Sequence, residues 1–406
     1  LELLAMLFGS SEFLSNILIK SPELFDSLVA TDILNVKKTK EQMIDEFIKG
    51  EERDAVEEAA GFLNRLRRYK NGELIRIGIR DILNFADIET TFEELSDLAD
   101  AVIQVLLGYL YKSSRGEVTP PLHGGVRLAV IGLGKFGGRE IGYGSDLDII
   151  FVYSMPEGSS PEPIFKLCED IIDASSAMTE EGILYKIDPR LRPLGKDGPL
   201  AMDLDGYKRY FKEWAQLWER QAYIKARYIA GDAELADDFI KLTHGFVYSS
   251  PITDDDVAEI GRIRNRMINE LIEPLNKDRH IKLSPGGIVD IEFITQILQL
   301  RYGYADKDIR DTNTSNALNI LKEKGCLSEI DYSKLSDAYY FLRTLESRIR
   351  IVEDASLDIL PEDDAALEEL ARRMGYRGKA IGNRLIKDFR LKIKTVRKIY
   401  GKIISK

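Results

Sequence analysis

The sequence predicts an α+β fold, in which a small mixed sheet is flanked by helical regions on both sides. Two observations predict it. Residues 126–132 and 147–153 are apolar stretches of strand length joined by a glycine-rich connection. The segments before and after them carry apolar residues mainly at helical spacing. We therefore expect three domains, which are a helical region, a core with the strands, and a C-terminal helical bundle, at residues 1–115, 116–235 and 236–406.

The first of these regions has a helical pattern up to about residue 112. An apolar stripe begins at Leu4 and Leu7 and continues through Leu14 and Ile17. Helical spacing then recurs in segments 57–68, 72–85 and 92–111. The proline pair at 120–121 marks the end of the region. We interpret it as a helical bundle that supports or spaces a catalytic unit.

The remaining elements follow in order. A helix is predicted at 164–178, and a third strand at 182–187 that runs into Asp188. Beyond residue 204 the pattern is almost wholly helical. A helix is predicted at 207–229, with aromatic residues at turn spacing. Trp214 and Trp218 lie four residues apart on one face of it, which predicts core packing, with adenine stacking as the alternative. Later helices are expected at 252–275, 287–302, 313–324, 332–352, 366–374 and 380–404.

Composition excludes several classes of function. A net charge of −11 over 406 residues argues against nucleic-acid binding, which usually needs a basic surface. The sequence has no uninterrupted apolar run of about 18 residues, so no membrane span is predicted. Two cysteines indicate no disulfide framework and favour a cytoplasmic protein. The chain begins with Leu1 instead of Met, which suggests a piece of a longer protein.

The chemistry centres on Asp146 and Asp148, at the entry to the second strand. Alternate residues of a strand share a face, so the two carboxylates are expected on one side and Leu147 on the other. Paired acids beside a glycine loop suit Mg²⁺ that also carries substrate phosphates, and Mn²⁺ is possible. This arrangement predicts metal-assisted phosphoryl or nucleotidyl transfer.

Two other phosphate-binding motifs are considered and rejected. Residues 132–137 match G-x-G-x-x-G, which proposes a dinucleotide-binding crossover. Gly142 and Gly144 interrupt the helix that this fold requires, and the acids open the next strand instead of closing it. Phe136 follows Lys135, so the Gly-Lys-Ser/Thr ending of a P-loop is also missing.

A nucleotide site can be assembled from the remaining residues. Gly137 and Gly138 lack Cβ atoms, so their backbone N–H groups are expected to approach phosphates. Asp188 is the candidate third carboxylate, as a metal ligand or as the group that activates the nucleophile. Alternation places Arg190 and Arg192 on the same face as Asp188. Both would hold phosphate oxygens, with Lys135 as a further contact.

Four blocks of the sequence form a recognisable set. They are GKFGGRE followed by GSDLD (134–148), DPRLRPLG (188–195), WERQA with KAR and GD (218–232), and GGIVDIEF (286–293). Together they resemble one family, glutamine synthetase adenylyltransferase, also called the glutamate–ammonia ligase adenylylating and deadenylylating enzyme. The blocks occur in the order expected for that family, and the similarity extends from about residue 8 to about residue 400.

The resemblance implies a polymerase-β-like nucleotidyltransferase core and one half of a two-half enzyme. One half attaches AMP from ATP to a tyrosine of glutamine synthetase, and the other removes it by phosphorolysis to give ADP. The block at 142–148 favours the attaching half, whereas Gly198-Pro199-Leu200 is closer to the removing half. A catalytically silent docking or regulatory module is a further alternative.

The resemblance also implies contacts and partners. It adds Ser145 to the nucleotide-binding residues, and it suggests that Arg220, Lys225 or Arg227 faces the phosphates. PII-type signalling proteins are the expected regulators. Asp290 and Glu292 lie two residues apart on a predicted helix, so they do not share a face, and a structural or partner-contact role is favoured for that block.

Overall fold

The structure is a computed structural model that describes residues 2–24, 36–51, 59–113, 125–353 and 358–405. It has the predicted α+β class, mostly helical with a small mixed sheet. The described chain forms two compact units, residues 14–246 and residues 247–406 together with 1–13. The expected boundary at 115/116 and the proline pair at 120–121 lie outside the described residues. The division into three domains stays a prediction.

The first unit contains the sheet and the helices around it. The chain begins with helix α1 Glu2–Ser10, which belongs to the second unit. The helices of the first unit are α2 Glu12–Lys20, α3 Lys40–Glu51, α4 Ala59–Ile82, α5 Ile88–Ser113, α6 Gly134–Gly137, α7 Glu162–Ser176, α8 Leu204–Glu213, α9 Leu217–Tyr223 and α10 Ala233–Val247. Its strands are β1 Arg127–Gly132, β2 Leu147–Ser154, β3 Ile187–Asp188, β4 Ala201–Asp203 and β5 Arg227–Gly231.

Strand β2 is at the centre of the sheet. It pairs antiparallel with β1, and β1 pairs antiparallel with β5. The other edge of β2 pairs in parallel, first with β3 at Leu147 and Asp148 and then with β4 from Phe151 to Tyr153. Residues Ile149 to Val152 have no exposed surface, which agrees with an apolar strand covered on both faces.

Two of the predicted strands are confirmed and one is largely wrong. β1 and β2 match the expected segments within one or two residues. The expected strand at 182–187 is reduced to the pair Ile187–Asp188, because the chain before it is held by turns and not by a ladder. Strands β4 and β5 were not predicted, and β5 ends the segment that was expected to be one helix to residue 229.

Ion pairs fix the loop after β1 to helix α5 and to the segment around β5. Arg227 of β5 donates to both carboxylate oxygens of Asp100 in α5, at 2.5 and 3.1 Å. Arg139 in the loop donates to Asp97 of α5 at 2.7 Å, although the Arg139 side chain is partly exposed. Lys225 and Glu140 form a third pair at 2.7 Å, with both side chains less than a tenth exposed. Buried charges such as Lys225 and Glu140 need partners, so this contact helps to fix the loop.

The second unit is helical. Besides α1 it contains α11 Asp254–Leu271, α12 Ile288–Tyr302, α13 Thr314–Glu323, α14 Glu329–Glu353, α15 Asp364–Arg373 and α16 Ile381–Ile404. These helices agree with the predicted ones within a few residues. Asp290 of α12 is fully buried and accepts from Arg264 at 2.7 Å and from Arg397 at 3.0 Å. The structural role expected for Asp290 is confirmed. No helix in the described residues is long and apolar enough to cross a membrane.

We predict that Gly137→Ala destabilises the first unit by at least about 2 kcal/mol, because the new Cβ would overpack a site with no space. It would lie 1.9 Å from the Lys225 carbonyl oxygen and 2.7 Å from that of Gly132. Chemical denaturation measures the change. Gly108→Ala is the control, since Gly108 lies in α5 with open space around it. The control should be neutral or stabilising, by up to about 1 kcal/mol. Equal stability of both variants would contradict the close-packing interpretation.

Candidate active site

Three acidic residues lie at or beside the start of β2. Asp148 lies opposite Asp188 in the parallel pairing of β2 with β3. Paired residues on adjacent strands are about 5 Å apart and point to the same face of the sheet. Asp146 immediately precedes the strand and is exposed, whereas Asp148 and Asp188 are half-buried. The structure thus brings Asp188 beside the acid pair, at an edge that solvent can reach.

Arg190 is the cation at this acidic edge. Its Nε donates to both carboxylate oxygens of Asp188 at 2.8 Å, its Nη2 makes a further contact, and its backbone N–H donates to Oδ1 at 3.0 Å. These hydrogen bonds hold the pKa of Asp188 below its usual range. The same hydrogen bonds raise the pKa of Arg190, and the negative charges of Asp148 and Asp146 raise it further. Asp188 is therefore ionised at neutral pH.

The expected alternation beyond Asp188 is wrong, because β3 ends there and the chain turns. Arg192 lies in this turn and donates to three carbonyl oxygens of its own loop, those of Pro189 at 3.0 Å, Lys196 at 3.2 Å and Gly198 at 3.2 Å. Its guanidinium thus holds the loop together. The phosphate contact of Arg192 stays a prediction that would require these bonds to be given up.

Gly134 makes room for the Asp148 carboxylate. Its φ is +52°, a conformation that side-chain-bearing residues rarely adopt, and a Cβ there would lie 2.2 Å from Asp148 Oδ2. This role of Gly134 was not predicted. The available signal was its position, since it is the second glycine of the G-x-G that closes β1.

The Gly137–Gly138 pair is engaged inside the loop. The N–H of Gly137 donates to the Leu133 carbonyl at 2.7 Å, and that of Gly138 to the Gly134 carbonyl at 3.2 Å. Gly137 is also packed against the Lys225 carbonyl. Close packing explains the missing side chain of Gly137 without a ligand. The contact of both glycines with phosphates stays a prediction.

Ser145 and Lys135 flank the acidic edge. The Ser145 hydroxyl accepts from the Gly142 N–H at 3.1 Å, and the Ser145 N–H donates to the Gly142 carbonyl at 3.3 Å. This reciprocal pair closes the turn that leads into Asp146. Lys135 is half-buried, and its carbonyl accepts from the Glu140 N–H at 2.8 Å. Nucleotide binding by either side chain stays a prediction.

Two expectations about neighbouring residues are corrected. The resemblance suggested that Arg220, Lys225 or Arg227 faces the phosphates, but Lys225 and Arg227 are paired with Glu140 and Asp100. A phosphate contact of Arg220 stays a prediction. Trp214 and Trp218 were expected in the core but are 60% and 41% exposed. The reason is a break in the helix, since α8 ends at Glu213 and Gln216 caps a new helix through a reciprocal bond with Glu219. Adenine stacking on either tryptophan stays open.

The acidic edge has suitable donors for a divalent cation, although it is not arranged as a three-carboxylate cage. Within the described ranges, no three His, Cys, Asp or Glu side chains are placed to hold one metal ion together. The carboxylate of Asp188 faces Arg190 instead. Carboxylates are the ligands that Mg²⁺ and Mn²⁺ prefer, and the space at Gly134 lets the Asp148 carboxylate sit at the edge. Asp146 and Asp148 therefore fit such an ion, and Asp188 fits only if Arg190 moves.

The fold and the site define an α+β protein with a carboxylate-lined sheet edge next to a glycine loop. The family model described as glutamate-ammonia ligase adenylyltransferase matches residues 1–241, and that of GlnD PII-uridylyltransferase matches residues 262–404. The first match covers more than half of the sequence. The chain belongs to the glutamate–ammonia ligase adenylyltransferase family.

Individual relatives agree with this family. The chain is 34% identical over 334 residues to the bifunctional glutamine synthetase adenylyltransferase/adenylyl-removing enzyme of Streptomyces avermitilis, covering 81% of this chain and 33% of that protein. It is 30% identical over 389 residues to the protein of the same name from Cutibacterium acnes, covering 95% of this chain and 38% of the relative. The chain thus spans about a third of the length of these curated relatives.

The acids of α5 generate a pH prediction. Burial raises the pKa of Asp97 to about 6, although Arg139 opposes the rise. The folded protein therefore binds this proton more tightly than the unfolded chain, so the contribution of Asp97 to stability falls as pH rises from about 4 to about 6. An asparagine at this position does not titrate. The free energy of unfolding of Asp97→Asn minus that of wild type should therefore be larger at pH 7.5 than at pH 4.5, by on the order of 1–3 kcal/mol. Denaturation midpoints at both pH values measure it, and an unchanged or reversed difference would contradict the prediction.

Proposed function

We propose that this chain is a nucleotidyltransferase module that transfers AMP from ATP to a tyrosine of glutamine synthetase. Its core, strands β1 to β5, is proposed to be polymerase-β-like. The observation that carries the proposal is the register of β2 and β3, which pairs Asp148 with Asp188 just after Asp146. Support for the substrate comes from the relatives, whose names specify glutamine synthetase adenylyltransferase.

The three carboxylates have different tasks in this proposal. Asp146 and Asp148 hold the divalent cation, Mg²⁺ or Mn²⁺, which when bound neutralises phosphate charge and supports displacement at the α-phosphorus. Asp188 accepts a hydrogen bond from the attacking tyrosine hydroxyl. Arg190 lowers the pKa of Asp188 in the free protein. This effect is lost when Arg190 turns towards the phosphates, so Asp188 becomes a stronger base when ATP is bound and can accept the hydroxyl proton.

Arg190 is the residue best placed to contact ATP. Its side chain is 64% exposed, so it can turn from Asp188 towards phosphate oxygens without leaving a buried position. Guanidinium groups bind phosphates through two parallel N–H donors. The tyrosine oxygen then forms a bond to the α-phosphorus, the bond to the departing pyrophosphate breaks, and the hydroxyl proton passes to the Asp188 carboxylate.

Removal of the AMP group from the modified tyrosine is the second candidate. The relatives are named for both adenylyl transfer and adenylyl removal, and the chain corresponds to about a third of their length. A removing module would use phosphate to release the AMP group from tyrosine as ADP. The same acidic edge serves either direction, because both displace an oxygen at the same phosphorus. A PII-type protein is the proposed regulator, supported by the PII-uridylyltransferase match at residues 262–404.

The direction can be tested with the purified chain and Mg²⁺. One reaction contains unmodified glutamine synthetase and ATP, and the other contains AMP-modified glutamine synthetase and inorganic phosphate. Mass spectrometry of the target tyrosine reports addition or loss of AMP. We expect addition in the first reaction. Loss of AMP in the second reaction alone would assign the chain to removal, and no change in either would favour the silent docking module.

The same assay tests the carboxylates. Asp148→Asn should lower AMP transfer by at least about 100-fold, since it removes a charge needed at the metal site, while the denaturation midpoint stays close to that of wild type. The control is Asp205→Asn, an exposed acid in the first turn of α8, which should transfer AMP at the wild-type rate. Full activity of the Asp148→Asn variant would refute the metal assignment.

A further inference from the structure

A second candidate site lies in the helical unit of residues 247–406. A pocket of about 450 Å³ there is lined by four basic side chains and one acidic one, Asp278. The basic residues are Arg390, Lys394, Arg397 and Lys398. The chain as a whole carries a net charge of −11, so this concentration of positive charge runs against its average. We infer that the pocket binds a small metabolite that carries several phosphate groups.

The basic residues form one face of helix α16. Their spacing is i, i+4, i+7 and i+8, which brings all four side chains to the same side. Arg390, Lys394 and Lys398 are exposed, and the described part of the chain contains no ion pair or hydrogen bond of their side chains. Like charges four residues apart disfavour a helix. The pattern therefore does not stabilise the helix by itself. A bound multivalent anion would offset the repulsion between the basic side chains, because each of them would be attracted to the anion.

Arg397 is held in place beneath these three residues. Its Nη1 donates to the buried Asp290 at 3.0 Å, and its guanidinium lies 4.7 Å from the centre of the Tyr400 ring. Asp290 is in turn fixed by Arg264 at 2.7 Å. A guanidinium oriented in this way loses little conformational freedom when it binds a ligand, which favours affinity.

The loop at Pro285 and Gly286 also lines the pocket and packs tightly against helix α16. Gly286 has φ +87°, and a Cβ there would lie 1.8 Å from the Ile393 carbonyl oxygen of α16. The Gly286 N–H donates to Asp290 at 2.7 Å, so the loop and Arg397 share one anchor. Pro285 of the loop and Ile393 of the helix give the pocket an apolar wall. The pocket is therefore preformed.

The ligand class follows from charge and size. Pockets of roughly 300–1,000 Å³ accept small metabolites. Four cations against Asp278 match an anion with three or four negative charges, and Arg and Lys both bind phosphate well. The apolar wall can pack against a base or another uncharged part of the same molecule. A polyphosphate chain is the simplest probe of this chemistry.

The test is calorimetric titration of the full chain with inorganic tripolyphosphate at low salt. EDTA is present, so that cation-dependent binding at the acidic edge does not contribute. Arg390→Gln/Lys394→Gln removes two pocket charges at exposed positions. Its control is Lys379→Gln/Lys387→Gln, which removes two exposed charges near the start of the same helix and outside the pocket. Citrate is the comparison ligand, since it carries three carboxylates and no phosphate.

We expect the pocket variant to bind tripolyphosphate at least tenfold more weakly than wild type, and the control variant to stay within twofold of wild type. Tripolyphosphate should also raise the melting temperature of wild type and of the control but not of the pocket variant. Equal weakening in both variants, or wild-type binding by the pocket variant, would overturn the site. Equal affinity for citrate and tripolyphosphate would overturn the phosphate assignment.

Discussion

The arrangement of the acidic edge depends on the parallel pairing of β2 with β3. The N–H of Leu147 donates to the Lys186 carbonyl at 2.8 Å, and this bond helps set the register that places Asp148 opposite Asp188. Side chains alternate along a strand, so a slip of one residue would turn Asp188 to the other face and bring Ile187 beside Asp148. Leu147 is fully buried, which opposes such a slip in β2. The chemistry proposed for the chain thus depends on a parallel pairing between β2 and β3 that is only two residues long.

Helix α5 stabilises the same site through ion pairs with the glycine loop and with β5. Its Asp97 and Asp100 hold Arg139 of the glycine loop and Arg227 of β5, and Arg227 also donates to the carbonyl groups of Phe136 and Gly137. The loop that makes room for the Asp148 carboxylate is therefore tied to a long helix by charges. The Asp100–Arg227 pair is costly to break, because removing the arginine leaves the buried Asp100 charge without its partner. Together these contacts favour a loop with one defined shape over a mobile one.

Much of the fold was predictable because long elements carry a clear period. β1, β2 and the helices of the second unit extend over enough residues for alternation or helical spacing to be recognised. A two-residue strand such as β3 has no period, and β5 was hidden in an aromatic helical pattern. Asp188 was expected beside the acid pair because metal-assisted transfer commonly uses a third carboxylate, and the structure pairs Asp188 with Asp148. The turn that engages Arg192 and the cap that exposes Trp214 depend on local hydrogen bonds that residue spacing does not reveal.

The proposed chemistry requires Asp146 and Asp148 to hold the divalent cation that accompanies a nucleotide. Crystals of the chain grown with Mn²⁺ and a non-hydrolysable ATP analogue test this directly, because anomalous scattering locates manganese independently of any prior interpretation. We expect an anomalous peak within about 2.0–2.3 Å of carboxylate oxygens of both residues, with Arg190 turned from Asp188 towards the phosphates. A peak elsewhere, or a nucleotide bound away from the start of β2, would contradict it.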